Sequence, residues 1–152
     1  MPARKSAKAA KKATKKSVGF SDEEKAAARE TVRERQQEPR TPAEGERLLL
    51  GKIAEMQDQD RALAKRVHEI VKATAPELFP KTFYGMPAYA KDGKVLIFFK
   101  PGQKFKMRYA ELGFTVQAKL DEGRMWPTVF ALTAVGPAEE KRIVALVKQA
   151  VS

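Results

Sequence analysis

The sequence predicts an α+β fold: a two-layer domain with an antiparallel sheet of three to five strands packed against helices, preceded by a disordered basic tail and a polar helix. Three observations carry this. Asp92-Gly93 separates Ala88-Tyr89-Ala90 from Val95-Leu96-Ile97-Phe98-Phe99, and Asp-Gly supplies the two positive-φ positions of a two-residue type I′ hairpin. The second arm is apolar at every position, the pattern of a strand covered on both faces in the middle of a sheet. On both sides of this region the apolar residues recur at helical spacing, which supplies the second layer.

Residues 1–19 form a Lys/Ala-rich tail of low complexity, without apolar residues to secure it to a core. Residues 20–40 form a polar helix and linker. Ser21 and Glu24 make a capping box, and the helix runs to about Gln37 with Val32 as its one larger apolar side chain. A helix polar all round reads as a solvated spacer. The domain spans residues 41–152. Thr41-Pro42-Ala43-Glu44 opens a helix with a cap, a proline in the first turn and a glutamate at the third position. Leu49, Ile53 and Met56 mark its apolar stripe, and Leu63, Val67, Ile70 and Val71 mark that of the next helix, which ends near Ala75-Pro76.

The first hairpin arm opens with Met86-Pro87, and proline donates no ladder hydrogen bond, so that arm starts at an edge or a bend. After Pro101-Gly102, the run Lys104-Phe105-Lys106-Met107-Arg108-Tyr109 alternates strictly and predicts a strand with a basic face. Glu111-Leu112-Gly113-Phe114 reads as a loop or short turn. A last strand is expected over Thr128–Thr133, with Trp126 buried where it meets the sheet. Gly136-Pro137-Ala138-Glu139-Glu140 opens the final helix, its acids favoured by the helix dipole.

Charge is distributed unevenly. The net +11 divides into +7 over residues 1–19, −3 over 20–46 and +7 over 47–152. The chain has no cysteine, which excludes disulfides, thiolate nucleophiles and Cys-ligated metals. No apolar run approaches the length needed to cross a bilayer, and the N-terminus lacks the apolar region of a secretory signal. A cytoplasmic protein is the expectation. Serines stand only at 6, 17, 21 and 152, so a Ser-His-Asp site has no nucleophile in the core. Glycine-rich phosphate loops are absent. His68, the single histidine, reads as a residue at the edge of a helix stripe. The residues point away from an enzyme and call for no cofactor.

Two groups of candidate binding residues remain. Arg4, Lys5, Lys8, Lys11, Lys12, Lys15 and Lys16 form a polyelectrolyte that neutralises phosphates. Lys104, Lys106 and Arg108 add a second basic row, either an anion-binding surface or the wetted side of a strand. Tyr84, Met86, Tyr89 and Trp126 either belong to the core or line an apolar ligand pocket beside the hairpin.

Tyr84-Gly85-Met86-Pro87-Ala88-Tyr89, then Asp92-Gly93-Lys94-Val95 and Phe98-Phe99, then Leu112-Gly113-Phe114 and Met125-Trp126-Pro127-Thr128 together resemble the YdhG-like family of bacterial domains, over roughly residues 45–152. The resemblance implies a small α+β domain with an antiparallel sheet. Some members of that family are described as frataxin-like iron chaperones, a function that resembles a ridge of many carboxylates offered to hard iron. This chain has only scattered pairs: Asp58 with Asp60, Asp121 with Glu122, and Glu139 with Glu140. No metal site is therefore assigned. The tail separately resembles the Lys/Ala tails of bacterial histone-like proteins. The functional expectation is a non-enzymatic binding protein whose basic tail holds nucleic acid without reading sequence. The alternative is an iron-chaperone or small-ligand-binding domain of the YdhG-like type, with the tail incidental.

Overall fold

The computed structural model describes residues 21–36 and 38–152. Their elements run α1 (Asp22–Gln36), α2 (Pro42–Ala54), α3 (Asp58–Thr74), β1 (Phe79–Phe83), β2 (Met86–Lys91), β3 (Lys94–Lys100), β4 (Ala110–Phe114), β5 (Val129–Leu132) and α4 (Pro137–Val151). The expected tail, residues 1–19, lies outside the described residues. Among the described residues no helix is long and apolar enough to cross a membrane.

The five strands form one antiparallel sheet in which each pairs with the next, β1-β2-β3-β4-β5. The apolar β3 is central, as its composition requires. Its hairpin with β2 closes through Asp92 (φ 52°) and Gly93 (φ 79°), with Lys91 opposite Lys94. The same backbone geometry occurs one hairpin earlier: Tyr84 (φ 53°) and Gly85 (φ 77°) join β1 to β2, with Phe83 opposite Met86. Met86-Pro87 therefore opens its strand directly after a tight turn. β1 itself is a strand that sequence alone did not assign. It carries Pro80 at the sheet edge, where a missing N–H is tolerated.

The helices begin where their caps predict. The Glu24 N–H donates to Ser21 Oγ (3.1 Å) and the Glu44 N–H to Thr41 Oγ1 (3.2 Å). The Gly136 N–H donates to Glu139 Oε1 (2.9 Å). One sheet face packs on α2, α3 and α4. Leu49 and Ile53, Val67 and Val71, and Ile143 and Val147 meet Ile97, Phe99, Leu112 and Phe114 there in a single core. Burial of this apolar surface is the main stabilising contribution to the fold. α2 lies so close to β1 that a Cβ at Gly45 would sit 1.9 Å from the Pro80 carbonyl oxygen.

Four expectations need correction. Lys104–Tyr109 is not a strand but a succession of turns between β3 and β4, in which Lys106 takes a positive φ of 55°. Glu111-Leu112-Gly113-Phe114 is not a loop; it belongs to β4, with Leu112 opposite Phe99 and Gly113 opposite Phe98. The alternation at 104–109 mimics a strand, whereas Gly113 hides one: its missing side chain makes room for the Phe98 ring, whose atoms lie 2.1 Å from where a Cβ would stand. Trp126 packs half-buried against the core rather than fully within it. The last strand is shorter than expected, Val129–Leu132.

The two glycines of α2 give a matched test. Gly51 faces open space, whereas Gly45 faces the β1 backbone. Gly51→Ala is expected to stabilise by about 0.5–1 kcal/mol through helix propensity. Gly45→Ala should destabilise by about 2 kcal/mol or more, since the obstructing atom is backbone. Urea denaturation of the two variants checks the difference in sign.

Candidate nucleic-acid interface

The basic residues of the β3–β4 connection owe their position to one buried acid. Asp60, in the first turn of α3, is 2% exposed. Its Oδ1 accepts from the Gln103 N–H and its Oδ2 from the Lys104 N–H, both at 3.1 Å. Gln103 Oε1 in return accepts from the Asp60 N–H at 3.1 Å. A carboxylate satisfied by two backbone donors fixes the connection as a loop, since those N–H groups have no strand partner. The Met107 N–H then closes the loop onto the Gly102 carbonyl (2.9 Å).

The loop lifts Phe105 beside β3. Lys100 Nζ lies 4.9 Å and Lys104 Nζ 5.5 Å from the centre of its ring, so two cations flank one aromatic face. Arg108 stacks separately over Tyr109 at 5.4 Å. Lys104, Lys106 and Arg108 are thus neighbours on a loop and do not share a strand face. Next to them, on the sheet face turned away from the core helices, stand Met86 and Phe98. The Phe98 ring is 6.3 Å from that of Phe83, which meets Tyr84 edge-on at 4.6 Å.

Helix α1 lies across this outer face. Its inward positions are Glu23, Ala27, Glu30, Thr31 and Glu34, while Val32 stays 57% exposed. Glu23 pairs with Lys106 (3.2 Å) and Glu30 with Lys52 (2.7 Å). The Glu34 carboxylate accepts from the Tyr84 N–H (3.1 Å) and the Gly85 N–H (2.7 Å), the two amides that the tight turn points outward. Glu38, just beyond the helix, pairs with Lys81 (2.8 Å). The hydrogen bond from Lys52 holds the Glu30 carboxyl below the usual carboxylate range, against the opposing effect of partial burial. The expected solvated spacer is in fact docked, and by carboxylates instead of apolar side chains. The inward positions 23, 27, 30 and 34 were visible in the sequence as one helix face, but a face whose one apolar residue is Ala27 gives no packing signal.

The aromatic set Tyr84, Met86, Tyr89 and Trp126 does not come together. Tyr84 and Met86 border a cavity of about 550 Å³ between α1 and the outer sheet face, with Phe98, Lys100 and Phe105. Tyr89 lies on the opposite face, 2% exposed, and Trp126 lines neither side of that cavity. Lys52, Phe98, Lys100 and Phe105 are site residues that sequence reasoning missed.

Tyr89 belongs instead to a buried relay. His68 Nδ1 is 2.9 Å from the Tyr89 hydroxyl and Nε2 is 3.1 Å from Glu46 Oε1. A carboxylate only accepts, so Nε2 carries the proton and Nδ1 accepts from Tyr89 in neutral imidazole. Burial first, and the Glu46 charge second, push the Tyr89 hydroxyl above its ordinary pKa, which keeps it a donor. Lys72 also binds Glu46 (2.6 Å) and holds that carboxyl low. The relay ties α2, α3 and β2 together. Tyr89, at its end, is 2% exposed, and Glu46, His68 and Tyr89 together border a small cavity of about 180 Å³. Among the described residues no three His, Asp or Glu side chains gather as metal ligands.

Compared with protein-family models, curated proteins and solved structures, the chain matches none.

Two outcomes follow from these contacts. Asp60→Ala leaves two part-buried N–H groups without their carboxylate and should cost about 2–4 kcal/mol in urea denaturation. The second concerns pH. A carboxyl whose folded pKa is depressed adds stability above its unfolded value, near 4.3, and loses it as pH falls through the folded value. Side-chain ¹³C titration should therefore place the Glu30 midpoint below about 4.3, and Lys52→Met should raise it.

Proposed function

We propose that the chain is a non-enzymatic nucleic-acid-binding protein of the cytoplasm, in which a basic tail is joined to an α+β domain of the YdhG-like kind. The observation that carries this is the charge of residues 1–19, seven cations with no acid among them. Such a segment binds phosphates through counterion release and reads no bases, because base readout needs side chains positioned by a folded element. The domain adds support of the same sign. Lys104, Lys106 and Arg108 crowd one loop, and Lys100 and Lys104 flank an aromatic ring beside it, the combination of cation and π-face on which nucleic acids are held.

The tail dominates because its own sequence holds no acid, whereas Lys106 is already paired with Glu23. If about five to seven phosphates are neutralised, log K falls with log salt at a slope of about −4 to −6. Removing residues 1–19 should take away most of that slope, and replacing Lys104, Lys106 and Arg108 by alanine should matter less. Fluorescence anisotropy of the full-length and shortened proteins on one duplex, from about 50 to 200 mM salt, measures both. Coincident slopes would remove the tail from the binding element and overturn the proposal.

A further inference from the structure

The outer sheet face and the helix that covers it are chemically mismatched. Tyr84, Met86, Phe98 and Phe105 present apolar and aromatic surface, yet α1 lays carboxylates and alanines over them and leaves a cavity of about 550 Å³. A helix built to seal that face would place large apolar residues inward; the one that α1 has, Val32, points out at 57% exposure. What holds α1 is charge. Glu23 takes Lys106, Glu30 takes Lys52, and Glu34 takes the two amides of the Tyr84-Gly85 turn. Ammonium groups and paired backbone N–H groups are also what binds phosphate oxygens.

We propose that this face is a platform for single-stranded nucleic acid, and that α1 occupies it as a carboxylate stand-in for the phosphate backbone. The proposal rests on nucleic acid being the partner, as argued above, and adds where and in which form it is bound. Removing α1 frees Lys106 and the turn amides for phosphates and takes from Lys52 its nearer carboxylate, leaving the longer pair with Glu55 (3.4 Å). It also opens the Phe105 ring, flanked by Lys100 and Lys104, and the Tyr84 ring, already 44% exposed, for stacking. Every base has a π-face, so such stacking is tolerant of sequence. In a duplex those faces are hidden within the stack, and only unpaired bases reach the rings. The helix then competes with the strand for the same groups, and its release is the step that opens the site.

The test uses the full chain and two probes of equal length, a deoxythymidine oligonucleotide and a duplex, in fluorescence anisotropy at fixed salt. One variant weakens the strap: Glu23→Gln, Glu30→Gln and Glu34→Ala. A charge-matched control changes Glu69→Gln, Glu77→Gln and Asp92→Asn, all remote from the face. The strap variant should bind the single strand about 10-fold tighter than the control does, with little difference on the duplex. Adding Tyr84→Ala and Phe105→Ala to it should remove about 10-fold on the single strand alone. Both side chains are at least partly exposed, and thermal melting verifies that the fold is kept. Equal gains on both probes would reduce the effect to charge and overturn the platform. A strap variant that becomes dimeric in sedimentation and gains nothing on the oligonucleotide would assign the face to a second copy, and also overturn it. If no variant, wild type included, binds either probe, the nucleic-acid reading itself fails. If wild type binds through its tail but the strap variant matches the control, only the platform fails.

Discussion

The Asp60 carboxylate decides what the middle of this chain becomes. Lys104–Tyr109 has the alternation of a strand, and the central β3 that precedes it would accept such a continuation. A buried carboxylate needs donors, however, and the nearest are the N–H groups of Gln103 and Lys104. Once those amides face α3 they cannot enter a ladder, and the chain turns. The next segment, Ala110–Phe114, takes the place beside β3 instead. The loop that results sets Phe105 against Lys100 and brings Lys106 to Glu23. The candidate interface therefore depends on a residue that is not part of it. One buried acid links the start of α3, the register of the sheet and the position of the basic loop.

The second constraint is the way the two layers are tied. α2 approaches β1 through Gly45, and Glu46, one residue on, reaches His68 and Lys72 of α3. Tyr89 of β2 completes the connection through His68. These polar links sit beside an apolar core and leave no buried side-chain donor or acceptor without a partner among the described residues. Such satisfaction fixes one arrangement of helices on the sheet. The outer face, which no core helix covers, is the one that α1 crosses.

The hairpin at Asp92-Gly93, the central place of β3, the helix caps and the α+β class were legible because each follows from local rules of period, turn residue or cap. What was not legible depended on partners distant in sequence. Tyr84 at positive φ is unusual for an aromatic residue, so Tyr84-Gly85 did not read as a turn, and β1 went unassigned with it. The strand at 110–114 was hidden by Gly113, whose role is visible only once Phe98 lies across from it. Tyr84, Met86 and Tyr89 are close in sequence, but the turn and the pleat send Tyr89 to the core face and leave Tyr84 and Met86 outside. The acidic face of α1 could be counted from its spacing; its meaning required the lysines of α2 and of the β3–β4 loop.

The position of α1 between the tail and the domain also shapes how salt would act on each. The helix is tethered to α2 through a short linker, so in the proposed competition with a strand it would act at a local concentration in the millimolar range or higher. A few surface ion pairs, each contributing little alone, suffice to hold it under that condition. A strand that displaces it meets lysines already neutralised by glutamates, and exchanging carboxylate for phosphate changes their ionic surroundings little. The tail is different: its seven cations face no acid of their own segment, and phosphates that bind them release condensed counterions. Under the proposed reading, steep salt dependence would belong to the tail, and discrimination between stacked and unstacked bases to the aromatic face. The two properties separate because the acids of the chain are concentrated in the segment that lies between them.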